Sequence, residues 1–201
     1  MLGWPGRVCR SALTQGHELT LYNLGVRGDT SAAVRFRWKG EVASRAAAEA
    51  KPLVVFSFGL NDCFQVDGTG AFSIEPSTQH THAILEDAAH DARPLFVGPA
   101  PVSERPPLKA AGWEPVNDRI RRLNRAFATV AANLLIPYLD LYPELQQDRR
   151  WRADLAAGDG VHPSALGYEV IADLVTHWPS WEKALGSAVM LPSGRPADAT
   201  A

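Results

Sequence analysis

The run LVVFSFG at residues 53–59 decides the fold class of this protein. An almost unbroken apolar run of this length is typical of a β-strand that is buried on both faces, as the strands of a parallel sheet are. The run is followed by Leu60-Asn61-Asp62. Gly59, Asn61 and Asp62 are residue types that favour turns. The sequence therefore predicts an interior strand over residues 53–59 that ends in a tight turn.

Strand-like and helix-like patterns alternate on both sides of this run. Residues 19–26 (LTLYNLGV), 95–98 (LFVG) and 136–141 have the short apolar patterns of strands. Longer stretches between them repeat apolar residues at helical spacing. Strands that alternate with helices indicate an α/β fold, in which a mostly parallel sheet lies between two layers of helices. The predicted helices cover residues 5–14, 30–50, 77–92, 116–134 and 164–178.

The first predicted element, residues 5–14, is a helix rather than a strand. A doubly wound sheet normally opens with a strand, and the first helix then crosses over to the second strand. We therefore expect that the first strand of the sheet is missing from these residues.

Composition and charge are those of an ordinary globular domain. The chain has 201 residues and a formal net charge of -2, with 46% apolar and 21% charged residues. This balance gives no sign of a nucleic-acid or membrane-surface partner. We expect one domain over residues 1–185. Residues 186–201 are rich in Gly, Pro, Ala and Ser and are expected to form a flexible tail.

Neither a membrane span nor a secretory leader is visible in the sequence. No apolar run reaches the ~20 residues of a membrane-spanning helix, and residues 1–10 lack the apolar centre of a signal peptide. Cys9 and Cys63 are the only cysteines, too few for a disulfide framework. The expectation is a cytoplasmic protein.

No cofactor or metal is expected. No glycine-rich phosphate loop follows a predicted strand, which disfavours a nucleotide-binding protein. His80 and His82 could suggest a metal site, but two residues that are two apart on a helix do not share a face.

The strongest chemical signal is the motif Asp159-Gly160-Val161-His162-Pro163. On a tight loop, a histidine three residues after an aspartate can donate its Nδ1–H to the carboxylate. This leaves Nε2 free to act as a general base. Gly160 eases the turn, and Pro163 keeps His162 out of the following helix. A capping aspartate beside a surface histidine would give the same pattern, so the motif alone does not decide the function.

Two further motifs stand at the ends of predicted strands. Asn61 can donate a side-chain N–H to a developing oxyanion, and Gly59 lets the backbone approach a substrate closely. Gly25, in NLGVRG at residues 23–28, can donate its backbone N–H to the same oxyanion. Either motif could also be a simple turn. In α/β sheets, sites lie at the carboxyl ends of the strands, which is where these motifs fall.

Taken in order, Asn-Leu-Gly-x-Arg-Gly, Gly-x-Asn-Asp and Asp-Gly-x-His-Pro resemble blocks two, three and five of the SGNH hydrolases, the GDSL-type esterases and lipases. The resemblance extends to about residue 181. It implies a flavodoxin-like fold and hydrolysis of esters or thioesters without a metal. By position, His162 would be the base and Asp159 would orient it. Gly25 and Asn61 would be the two oxyanion donors.

The nucleophile of the family lies in a Gly-Asp-Ser motif at the end of the first strand, and this sequence contains no Gly-Asp-Ser. Residues 3–7 (GWPGR) resemble the segment that often follows that motif. We therefore expect the serine to lie upstream of Met1 and the chain as given to be inactive. The nearest imitation, GDTS at residues 28–31, would make Thr30 the nucleophile, but it would leave no block two.

Two functions remain open from the sequence. The first is a serine hydrolase of carboxylic esters, whose substrate could be a short-chain ester, a lipid, a thioester or an acetylated sugar. The second is a catalytically dead homologue that keeps the pocket and binds a small acyl or glycosyl ligand. In both cases the expected partner is a small molecule.

Overall fold

The computed structural model describes residues 2–46, 51–64, 73–103 and 115–186. Within these ranges the chain forms three strands, β1 (Leu53–Ser57), β2 (Arg93–Val97) and β3 (Tyr138–Leu139). The helices in the same ranges are α1 (Trp4–Thr14), α2 (Ser31–Ala43), α3 (Leu60–Cys63), α4 (Glu75–Asp91), α5 (Val116–Asn133), α6 (Tyr142–Gln147), α7 (Arg149–Ala157), α8 (Ala165–Thr176) and α9 (Pro179–Gly186).

The three strands form a parallel sheet in the order β1-β2-β3. Phe56 of β1 pairs with Phe96 of β2, which in turn pairs with Tyr138 of β3. A helix-containing crossover joins each strand to the next, as parallel pairing requires. The predicted parallel α/β fold is confirmed.

Helices pack on both faces of this sheet because successive strand residues point to opposite sides. Phe96 lies in one core, with buried side chains of α2, α4 and α5. Leu95 and Val97 lie in the other core, with buried side chains of α1, α7 and α8. The protein therefore has the predicted three layers.

The long helix α5 shows why the sequence pattern was informative. Ile120, Leu123 and Phe127 are fully buried, and Val130 is 7% exposed. These residues recur at intervals of three or four, so they lie on one face of the helix and cover the sheet.

Residues 19–26 do not form the predicted strand; they have no regular secondary structure. A strand requires a neighbour to pair with its backbone N–H and C=O groups. Among the described residues, no backbone hydrogen bond joins 19–25 to a strand. Leu21, Tyr22 and Val26 are 42%, 57% and 55% exposed. The segment has the apolar pattern of a strand, but it has no partner strand in the described part of the chain.

The prediction that the strand at 53–59 is buried on both faces is also wrong. Residues 53–55 are half-buried, Phe56 is buried and Ser57 is exposed. In the described sheet β1 is an edge strand, which pairs with β2 alone. The strand ends before Gly59, whose φ of +117° belongs to a turn rather than a strand.

Two predicted segments extend beyond the described residues. The helix expected over 30–50 is α2, which ends at Ala43, and residues 47–50 lie outside the described residues. The expected tail from residue 186 lies almost wholly outside them as well, since α9 reaches Gly186. No helix in the described part of the chain combines the length and apolar character needed to cross a bilayer.

Gly98, directly after β2, lies where no larger residue fits. A Cβ there would collide with the Tyr138 hydroxyl and the Asn124 side chain. Gly98→Ala should therefore lower the free energy of unfolding by about 1–3 kcal/mol, the usual cost of overpacking. The matched control is Gly40→Ala in α2, where a Cβ meets nothing within 4 Å. It should raise stability by about 0.5–1 kcal/mol, because alanine favours a helix interior over glycine.

Urea unfolding of both variants beside the wild type measures the two changes. A Gly98→Ala protein as stable as the wild type would show that the close packing after β2 is not present in solution.

Candidate active site

His162 and Asp159 lie together on the loop between α7 and α8. The Nδ1 atom of His162 is 2.7 Å from Oδ2 of Asp159. The other carboxylate oxygen, Oδ1, accepts hydrogen bonds from the backbone N–H groups of Val161 at 2.9 Å and His162 at 2.8 Å. The loop turns at Gly160, whose φ is +83°. The structure thus brings these two predicted site residues into direct contact.

The electrostatics of this loop keep the carboxylate ionised. The backbone N–H of His162, its ring nitrogen and the backbone N–H of Val161 hold the pKa of the Asp159 carboxyl well below its ordinary value. Both side chains are open to solvent, at 63% exposed for His162 and 58% for Asp159. An ionised Asp159 favours the tautomer with its proton on Nδ1, which leaves Nε2 as a proton acceptor.

A second loop, residues 98–103 after β2, touches the histidine loop. The backbone N–H of Ser103 donates to the carbonyl of Gly160 at 2.8 Å. From α7, the indole N–H of Trp151 donates to the carbonyl of Pro101 at 3.2 Å. The histidine loop is therefore attached to the carboxyl edge of the sheet, where ligands bind in open α/β folds.

Two buried asparagines of α5 hold the same 98–103 loop. The side chain of Asn117 accepts from the backbone N–H of Val102 at 3.0 Å and donates to its carbonyl at 2.9 Å. Asn124 donates to the carbonyl of Pro99 at 3.0 Å. Because these buried asparagines bond directly to the loop backbone, they fix the backbone beside the site.

Asn61 lies at the start of α3, just after the turn at Gly59. Its side-chain N–H group donates to the carbonyl of Asp29 at 2.9 Å. The glycine is needed at this turn because a Cβ would lie 2.8 Å from the Phe127 ring. The second proton of the Asn61 amide could serve another acceptor, since an amide nitrogen has two donors.

Gly25 is held by its own neighbour. Its backbone N–H donates to the side-chain carbonyl of Asn23 at 3.1 Å, in a turn on the protein surface. Among the described residues, no hydrogen bond joins the His162–Asp159 pair to Gly25 or Asn61. The structure therefore brings the predicted base and its partner together, while both predicted oxyanion donors are bonded elsewhere.

Asp62, next to Asn61, forms a buried polar cluster that the sequence patterns did not predict. Its carboxylate accepts from the backbone N–H and the hydroxyl of Ser31, and from the hydroxyl of Ser77 at 2.7 Å. The Ser31 side chain is 1% exposed, and its hydroxyl lies 3.3 Å from Nδ1 of His80. The cluster joins the first turns of α2 and α4 to α3 and so fixes the backbone that carries Asn61.

The remaining polar contacts of the site were missed for different reasons. Asn117 and Asn124 were visible as polar residues on the apolar face of α5, which is the signal of a buried polar contact. The bond from Ser103 to Gly160 carried no signal, because a backbone contact between loops leaves no trace in residue type.

Several solved structures share the fold of this chain. A lipase/acylhydrolase from Enterococcus faecalis is 21% identical and has a TM-score of 0.69, with 91% of this chain and 85% of that chain covered. An acetylxylan esterase from Geobacillus stearothermophilus is 16% identical with a TM-score of 0.69, covering 86% of this chain and 78% of that one. An α/β hydrolase from the metagenome of Lake Arreo, Spain, is 19% identical and has a TM-score of 0.68, with 92% of this chain and 81% of that chain covered.

At these identities the solved structures establish the fold alone. No curated protein matches the chain. The sequence profile of one family, however, matches most of the chain, and it is the family that the three motifs resemble. The chain belongs to the GDSL-like lipase/acylhydrolase family, whose profile matches residues 2–170.

Proposed function

We propose that the protein hydrolyses carboxylic esters of small molecules by serine chemistry, with His162 as the general base and Asp159 as its partner. The observation that carries the proposal is the 2.7 Å contact between His162 Nδ1 and Asp159 Oδ2. The contact lies on a loop fixed to the carboxyl edge of the sheet. Membership of a family of lipases and acylhydrolases supports the same reaction class.

The reaction requires a serine hydroxyl that attacks the ester carbonyl carbon while Nε2 of His162 takes its proton. The tetrahedral intermediate then expels the alcohol, which receives that proton from Nε2. Water repeats the two steps on the acyl-enzyme and releases the acid. Asn61 would donate its free side-chain N–H to the oxyanion. Gly25 would join it after its backbone N–H leaves Asn23.

We propose that the attacking serine lies outside the 201 residues, since the family's Gly-Asp-Ser motif does not occur in them. Ser31, in the nearest imitation of the motif, is a poor candidate. Its side chain is 1% exposed and its hydroxyl already donates to Asp62. A substrate could reach that hydroxyl only if the buried cluster opened.

A second candidate function is binding without catalysis. The observation that favours it is that both proposed oxyanion donors already have partners, Gly25 with Asn23 and Asn61 with Asp29. A catalytically dead homologue would keep the fold and bind a small acyl or glycosyl ligand without hydrolysing it.

The two candidates differ in what an added nucleophile should do. The 201-residue chain should show little turnover of p-nitrophenyl acetate, because an oxyanion hole and a base without a nucleophile give only residual catalysis. A form with a strand ending in Gly-Asp-Ser placed before Met1 should hydrolyse the ester. Initial rates of p-nitrophenol release measure both. The control is the same extension with Gly-Asp-Ala, which should match the unextended chain.

Two results would contradict this expectation. Turnover by the 201-residue chain within about tenfold of the extended form would place the nucleophile inside the chain, with Thr30, Ser31 and Cys63 to be tested. An extended form that folds but does not exceed the Gly-Asp-Ala control would favour the binding function.

A further inference from the structure

One face of α7 contacts both loops of the candidate site. Trp151 donates its indole N–H to Pro101 in the loop after β2. Asp154, one turn later, accepts from the backbone N–H of Ser164 at 2.7 Å and of Gly167 at 3.2 Å. Residues three apart on a helix share a face, so α7 connects the loop after β2 to the start of α8.

Asp154 acts on α8 as a cap supplied by a different helix. The first N–H groups of a helix have no partner within it, and negative charge is favoured at that end. Oδ2 of Asp154 takes two of these N–H groups, and the Ser164 hydroxyl donates to Oδ1. The Ser164 hydroxyl in turn accepts from the backbone N–H of Leu166 at 3.3 Å. The carboxylate thus fixes the first turn of α8 at three points.

The packing around Gly167 holds Asp154 close to the histidine loop. A Cβ on Gly167 would lie 2.6 Å from Oδ2 of Asp154 and 2.6 Å from Cβ of Pro163, with the Trp151 ring at 3.3 Å. Asp154 and Pro163 therefore both pack closely against Gly167. Pro163 is the residue next to His162, so the packing of Asp154 around Gly167 reaches to within one residue of the histidine.

His162 lies between two anchored points of its loop. On one side the carbonyl of Gly160 accepts from Ser103, and on the other side Ser164 is bound to Asp154. The imidazole itself is 63% exposed and is held by Asp159. Its direction therefore depends on the backbone at both anchors.

We propose that Asp154 is a positioning residue, which orients the His162 imidazole toward Asp159 by fixing the first turn of α8. The role of His162 as the base rests on the proposed function. The geometric claim does not, and the two can be tested separately.

The direct test is the tautomer of His162, read from the ring ¹⁵N chemical shifts at a pH where the imidazole is neutral. In the wild type the Nδ1–H form should dominate, because Nδ1–H donates to Asp159. In Asp154→Ala we expect a shift toward the Nε2–H form that free histidine prefers. Asp154→Asn should behave as the wild type. Its amide oxygen can accept from both backbone N–H groups, and its NH₂ group can donate to the Ser164 hydroxyl.

Two controls separate positioning from a general loss of stability. Asp148 caps α7 itself, because its carboxylate accepts from the backbone N–H groups of Arg150 at 2.7 Å and Trp151 at 3.0 Å. Asp148→Ala removes this cap. This variant should lower the melting temperature while leaving the His162 tautomer unchanged. His90, whose Nδ1 lies 2.6 Å from Asp91 on α4, is an internal reference that no variant should affect.

Gly167→Ala provides a second disruptive variant if Asp154→Ala does not fold, since the new methyl group displaces Asp154 and Pro163 from the other side. An unchanged His162 tautomer in either folded variant overturns the proposal. A change of the His162 tautomer in Asp148→Ala as large as that in Asp154→Ala also overturns the proposal.

The kinetic test uses the extended, serine-containing form. Asp154→Ala should lower kcat roughly 10- to 100-fold with KM unchanged, because a displaced catalytic group loses orientation without losing substrate contacts. Asp154→Asn should restore it. If His162→Ala in that form keeps full activity, the proposed function fails, and the tautomer measurement still decides the role of Asp154.

Discussion

Replacing His162 with alanine should lower kcat on p-nitrophenyl acetate by about 10⁴-fold in the form that carries the added Gly-Asp-Ser strand. Without the imidazole, no base takes the proton of the serine hydroxyl as it attacks, or of the water that hydrolyses the acyl-enzyme. KM should change little, because the base contributes to the transition state rather than to substrate binding.

Asp159→Asn should lower kcat by a similar factor, although it leaves the size of the side chain unchanged. The carboxylate can only accept a hydrogen bond from Nδ1–H, whereas the amide can also donate to Nδ1. It would then stabilise the tautomer that has no free acceptor at Nε2. The backbone bonds from Val161 and His162 end on the other oxygen, Oδ1, so the loop itself should keep its shape.

The chain contains a matched control for both variants. His90 and Asp91 on α4 form an exposed pair with an Nδ1 to Oδ1 distance of 2.6 Å. His90→Ala and Asp91→Asn should leave kcat and KM as they are. A His162→Ala enzyme that retains the wild-type rate, or a His90→Ala enzyme that loses as much, would show that the assigned pair is not the catalytic one.

The His162–Asp159 contact could be predicted because it is local. The two residues are three apart, Gly160 permits the turn between them, and backbone geometry then leaves few other partners for the carboxylate. The contact between Asp154 and Ser164 could not be predicted, since it joins two helices whose relative position depends on the whole core. The same holds for Asn117 and Val102, although an asparagine on the apolar face of α5 indicated that a buried polar partner existed.

The fold shows a similar division between strong and weak signals. Helix α5 is long, and its position followed from the period of its apolar residues. The strand predicted at 95–98 overlaps β2, which begins earlier, at Arg93. Helices α6 and α7 were missed because half of residues 142–157 are charged or amide residues, and their large apolar residues do not continue one helical repeat across the segment. Asp148 was the available signal there, as an N-cap that accepts from the first turn of α7. At 19–26 the residues favour a strand, but a strand also needs a neighbour, which local pattern cannot supply.

The open edge of the sheet suggests a large effect on stability when a further strand is added. In the described sheet β1 pairs on one side only, and residues 19–26 expose apolar side chains without strand pairing. In a flavodoxin-like order the position between these two segments is filled by a strand. An exposed apolar edge with unpaired backbone groups is unfavourable and promotes association between molecules.

We therefore expect that a strand added before Met1 raises the thermal stability of the chain and its soluble fraction. An extension of roughly 20 residues allows one strand and a turn. Burying apolar surface at about 25 cal/mol per Å² should contribute several kcal/mol. For a domain of this size each kcal/mol raises Tm by about 2–4 °C, so a gain of about 3 kcal/mol corresponds to roughly 6–12 °C.

The matched control is a Gly/Ser extension of the same length, which adds chain but cannot pair with β1. It should leave Tm and solubility at the values of the 201-residue chain. Hydrogen exchange then locates the effect. The strand extension should protect backbone amides at residues 19–25, which have no strand partner in the described structure, whereas the Gly/Ser extension should not. If both extensions give the same Tm and the same exchange at 19–25, the edge of β1 does not accept a strand. The irregular conformation of 19–26 would then be its stable state.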